Sequence, residues 1–127
     1  MKRGTNVKKR LTKAEEEIMQ ALWSIEHGRI QELLPALGEP RPARTTVSTL
    51  LSILENKGFV EHTQSGRKHI YFPVVSKSEY TKIQLHSLIK NYFNGSFASM
   101  VSFFAAENNI SLDQLDEIIN QTKNKKE

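Results

Sequence analysis

Apolar positions repeat at helical spacing through the first part of the chain. Ala14, Ile18, Leu22 and Ile25 recur with Met19 and Trp23 beside them, which predicts a first helix with Trp23 as a core anchor. Thr12 and Glu15 have the spacing of a capping box, in which the hydroxyl accepts from the Glu15 amide and the carboxylate reaches back. Gly28 is placed to end this helix in a left-handed conformation. Ile30, Leu33, Leu34 and Leu37 make a second, short face ending at Gly38, and Pro35 inside it removes one intrahelical donor, so that helix stops early or bends. Gly38-Glu39-Pro40-Arg41-Pro42 reads as a stiff turn, with Pro42 where a first helical turn tolerates proline.

A third helix, about Ala43 to Lys57, gathers Val47, Leu50, Leu51 and Leu54 within a narrow arc, and this is its buried stripe. The opposite side carries Thr45, Ser48, Thr49, Ser52 and Asn56, flanked by Arg44 on one edge and by Thr46 and Ile53 on the other. After Gly58, the β-prone runs 59–63 and 68–72 are joined around Gln64-Ser65-Gly66-Arg67, a hairpin with a basic tip. Pro73 closes it, and the spacing of Ser76 and Glu79 caps a helix from about Lys77 to Tyr92. Two more helical stripes follow: Phe97, Met100, Val101, Phe103 and Phe104, then Leu112, Leu115, Ile118 and Ile119, the last capped by Ser111 and Gln114.

The order helix, short helix, turn, helix, basic hairpin is that of a winged helix-turn-helix. The expected fold is therefore mainly α with a small β-hairpin: a basic flexible arm at 1–10, a winged helix-turn-helix at 11–76 and a three-helix dimerisation region at 77–127. A helix lined with short hydroxyls fits a major groove of ~12 Å width, where Arg44, Thr45, Thr46, Ser48, Thr49, Ser52 and Asn56 can meet base edges and thymine methyls. Arg41, Gly66, Arg67 and Lys68 are the flanking and wing residues expected along the phosphates. In the tail, Ile83, Leu88, Tyr92, Phe93, Phe97, Met100, Val101, Phe104, Leu115, Ile118 and Ile119 are too many large apolar groups for about 50 residues to cover, since domains that small bury only ~60% of their unfolded surface. A homodimer covers them, and its two-fold axis suits a palindrome; packing back onto the winged helix is the alternative.

Charge sharpens this picture. Residues 1–72 hold twelve cationic and eight acidic side chains, whereas residues 73–127 hold six of each, so the whole net charge of +4 lies in the first part. Such asymmetry points to a polyanion partner, here double-stranded DNA. The chain has no cysteine, which excludes disulfides, thiolate metal sites and thiol catalysis and fits a reducing cytosol. No apolar run approaches ~20 residues, and the basic start lacks a signal-peptide core. No phosphate-loop, dinucleotide, nucleophile-elbow or zinc-protease motif is present, so neither enzymatic activity nor a cofactor nor a small-molecule ligand is expected. His62 and His69 can face each other across a tight hairpin, but two ligands are too few for a metal. A winged helix can also serve as a protein- or RNA-binding module without operator specificity, and salt dependence separates these readings.

Leu11-Thr12-x-x-Glu15 with Trp23, then Arg44-Thr45-Thr46-Val47-Ser48-Thr49-Leu50-Leu51, Lys57-Gly58-Phe59-Val60 and Ile70-Tyr71-Phe72-Pro73-Val74-Val75 together resemble the BlaI/MecI penicillinase-repressor family. The similarity runs from Leu11 almost to the C-terminus and includes the aromatic segment Phe97 to Ala106. What the resemblance implies is a dimeric repressor on a palindromic operator, inactivated when a membrane sensor-protease signals β-lactam exposure. It also implies a candidate proteolytic region at Phe103 and Phe104, within residues 96–107. Ile53 stands where the family often has Arg, and Phe103 where an Asn usually precedes the cut Phe. The cysteine cluster of the copper-responsive relatives is absent.

Overall fold

The computed structural model describes residues 10–125, with side chains to residue 122. Elements run in the order α1 (Lys13–Ile25), α2 (Ile30–Leu33) continued by a 3-10 turn (Leu34–Ala36), α3 (Arg44–Asn56), β1 (Val60–Ser65), β2 (Lys68–Pro73), α4 (Lys77–Tyr92), α5 (Phe97–Glu107) and α6 (Leu112–Lys125). This is a winged helix-turn-helix followed by three helices. The expected basic arm lies outside the described residues apart from Arg10, as do the side chains of the C-terminal lysines.

Residues up to Gln84 form one compact unit. Its core joins Ile18, Met19 and Leu22 of α1, Leu33 and Leu37, Val47, Leu51 and Leu54 of α3, and Phe59, Val60, Tyr71 and Val75 from the hairpin and its flanks. The capping box forms as the sequence predicts, with the Glu15 amide donating to the Thr12 hydroxyl at 3.2 Å and the Thr12 amide to the Glu15 carboxylate at 2.9 Å. Ala14, expected on the apolar stripe, is exposed; Glu15 is buried in its stead, because its carboxylate also receives the Lys57 ammonium at 2.7 Å. Trp23 is half-buried and donates its indole N–H to the Val75 carbonyl at 2.9 Å, which pins the end of the wing to α1.

Three local expectations are corrected. Gly28 does not end α1: Glu26 takes the positive φ, 75°, at the helix end, and Gly28 instead exchanges backbone hydrogen bonds with Tyr71. A Cβ at Gly28 would come closest to the ends of the Glu32 and Ile25 side chains, at 2.9 and 3.0 Å, and Gly28 has no positive φ. Pro42 precedes the N-cap Ala43 and is not in the first turn of α3. Gln64 and Ser65 belong to β1, and the antiparallel register Ser65↔Lys68 shrinks the turn to Gly66-Arg67. Gly66 has φ 63°, the positive value that the first central position of a two-residue hairpin turn requires.

Helix α4 starts in the first unit. Tyr80 is buried, its ring 5.9 Å from that of Trp23 and 5.7 Å from that of Phe59, and its hydroxyl donates to the Glu16 carboxylate at 2.6 Å. Burial first and Glu16 second push the Tyr80 phenol far above its ordinary range, so it keeps the proton it donates. The seam between units falls between Gln84 and Leu85, inside the helix, whereas the sequence placed the boundary at residue 76. The second unit comprises the rest of α4 with α5 and α6. Among its described residues Ala105 alone is buried.

Candidate nucleic-acid interface

Helix α3 presents the face expected from its sequence. Val47, Leu51 and Leu54 are fully buried, and this fixes the rotation of the helix so that Thr45, Ser48, Thr49, Ser52 and Asn56 are all exposed. None of these side chains is long, so nothing on that strip holds a duplex away from the backbone.

Arg44 and Ser48 form one wall of a cleft of about 330 Å³. The hairpin supplies the opposite wall with Arg67, Lys68, His69 and Tyr71, and Arg29, Ile30 and Gln31 close it at the start of α2. Four permanent cations therefore converge beside the hydroxyl strip, and no carboxylate lines the cleft. Such a site suits successive phosphates of a backbone. Other expected site residues lie elsewhere. Thr46 is exposed but, with Leu50, lines a different cleft against α1, and Arg41 is also exposed and lies 3.6 Å from the Glu39 carboxylate.

Glu55 of α3, an anion close to the expected DNA face, is occupied by His62 Nδ1 from β1. Because the register pairs His62 with Tyr71 and Gln64 with His69, the two histidines meet diagonally on one face of the hairpin, their rings 4.9 Å apart and within 16° of parallel. Tyr71 completes the cluster; burial, and then the Glu55 charge, raise its phenol above the ordinary value. Among the described residues no three His, Cys, Asp or Glu side chains gather as metal ligands.

The tail carries the other set of expected residues. Among the described residues nine large apolar side chains are exposed, and all nine belong to the second unit: Leu85, Leu88, Tyr92, Phe97, Phe103, Phe104, Leu112, Ile118 and Ile119. Tyr92 is 75% exposed and Phe97 59%. Phe93, Met100, Val101 and Leu115 are half-buried, with Phe93 packed 5.7 Å from Phe103, and Ile83 is half-buried in the first unit.

The penicillinase repressor family profile matches residues 11–124. The chain belongs to that family. It is similar to the penicillinase repressor of Bacillus licheniformis, at 28% identity over 120 residues, covering 91% of this chain and 94% of the relative. It is also similar to the methicillin resistance regulatory protein MecI of Mammaliicoccus sciuri (25% identity) and of Staphylococcus aureus strain N315 (24%), each over 111 residues, 87% of this chain and 90% of the relative. The resemblance read from the sequence is thereby established, and penicillinase repressors are transcriptional regulators, not enzymes. The match spans both units. Among the described residues, no helix is long and apolar enough to cross a membrane.

Sequence reasoning within the penicillinase repressor pattern missed two contributors. Arg29 was counted among the cations but not placed; it is the N-cap residue of α2, and only the tertiary fold brings it to face Arg44 and Arg67. Glu55 carries no local signal, since its hydrogen bond with His62 depends on how β1 returns against α3.

Proposed function

We propose that the protein is a homodimeric, sequence-specific repressor that lays α3 of each copy into the major groove of a palindromic operator in double-stranded DNA. The observation carrying this reading is the convergence of Arg29, Arg44, Arg67 and Lys68 in one acid-free cleft beside the exposed Thr45, Ser48, Thr49 and Ser52 strip. Hydroxyls on a slim helix read base edges, and the cations neutralise flanking phosphates and set the register. The second unit supports the dimer: burying a fully exposed large apolar side chain is worth about 1.5–3 kcal/mol, and association recovers roughly half or more of that for most of the nine it could cover.

The names of the relatives support β-lactam-resistance genes as the regulated set. Relief of repression follows proteolysis near Phe103 and Phe104, both exposed on α5, by a membrane sensor-protease, or another signal. The test of the DNA reading is the salt dependence of binding. A dimer neutralising about 6–10 phosphates loses on the order of 10³–10⁵ in affinity between about 50 and 200 mM salt. A flat response would point instead to a protein partner.

A further inference from the structure

We propose that this cleft takes up a proton when duplex DNA enters it, with His69 as a protonatable phosphate contact positioned by His62 and Glu55. The inference rests on the DNA reading above and adds a regulation of the same site. His69 lines the cleft with Arg29, Arg44, Arg67 and Lys68, so its imidazole stands where phosphates are expected. It is not a loose surface ring: it is half-buried and stacked on His62, which is itself fixed to α3 through Glu55. A carboxylate only accepts, so His62 Nδ1 carries a hydrogen. The Glu55–His62 pair is then neutral or negative in either state of His62, and a charge on His69 meets no net positive neighbour across the stack.

The groups facing His69 set the sign. From α3 come Arg44 and Glu55, from the start of α2 Arg29, and from the hairpin Arg67, Lys68, His62 and the neutral Tyr71 phenol. With phosphates in the cleft those cations are neutralised, and a charged imidazole gains an anion of its own. Binding therefore consumes a proton, and affinity rises as the pH falls through the range in which imidazoles titrate, roughly pH 8 to 6. One proton per chain tightens binding by no more than about tenfold per pH unit, and a gain of at least roughly threefold over that interval is expected.

The experiment uses the full chain and a fluorescent mixed-sequence duplex of about three helical turns, since phosphate contacts do not depend on sequence. Affinity is measured from pH 8 to pH 6 at constant ionic strength, and proton uptake by calorimetry in two buffers of different ionisation enthalpy. The expected result is tighter binding with net uptake at the lower pH. His69→Gln abolishes both, His69→Lys gives flat and tight binding, and His27→Gln, in a separate cleft with Trp23 and Phe72, keeps the slope. Salt-sensitive binding that is constant with pH, or a full slope in His69→Gln, overturns the proton step alone. Absence of duplex binding at low salt at every pH overturns the DNA reading with it.

Discussion

Glu15 is the one charged side chain buried among the described residues, and its environment works in opposite directions. Burial raises its pKa, but the Lys57 ammonium and the Thr12 amide and hydroxyl outweigh it, and the net shift is downward. A carboxyl held low in the folded state stabilises above its unfolded value and loses that contribution as the pH falls through about 4.3 and below. Lys57→Met therefore costs about 1–3 kcal/mol in urea unfolding at neutral pH and removes this acid-side dependence. If the variant unfolds like the parent, Glu15 is solvated and the account of α1 is wrong. At the proposed DNA surface, Arg67→Ala and Lys68→Ala are expected to weaken binding to all duplexes alike and each to lower the salt slope by about 1, while Thr45→Ala and Thr49→Ala are expected to shift the preferred sequence. Footprints of the variants on a selected fragment separate the two classes. The hydroxyl strip of α3 was legible because helical periodicity sorts it from Val47, Leu51 and Leu54. Arg29 was not, because no spacing rule links it to the wing.

Elements were readable wherever a local rule decides them. The boxes at Thr12–Glu15 and Ser111–Gln114 form as written in the sequence, and Ser76 accepts from the Glu79 amide at 3.0 Å. The end of α1 departs from the sequence expectation because glycine suggests a left-handed terminus, whereas Gly28 lies beyond the helix and exchanges backbone hydrogen bonds with Tyr71. At the hairpin tip the opposite holds: space around Gly66 is open, so backbone strain alone decides. Gly66→Ala is expected to cost about 1 kcal/mol and to loosen the placement of Arg67 and Lys68. Thermal unfolding checks the first part and duplex affinity the second. Unchanged stability would mean that the turn does not keep its positive φ.

At the scale of the molecule, the division of labour between a basic first part and an apolar tail was visible in charge and aromatic content, but its position was not. Tyr80, on the helix that leads into the tail, packs its ring with Trp23 and Phe59, and its hydroxyl finds Glu16 there. A chain ending at Gln84 is thus expected to stay folded and to sediment as a monomer, while one ending at Ser76 loses the Tyr80 anchor and melts several degrees lower. A dimeric 84-residue fragment would move the interface out of the tail. The central claim is that two copies place matching helices on one duplex, and hydroxyl-radical footprinting of a genomic fragment selected by the full chain tests it most directly. The account predicts two protected half-sites related by a dyad, centred about one helical turn (~34 Å) or a whole multiple of it apart. A single protected tract without symmetry, or uniform protection along the fragment, would contradict it.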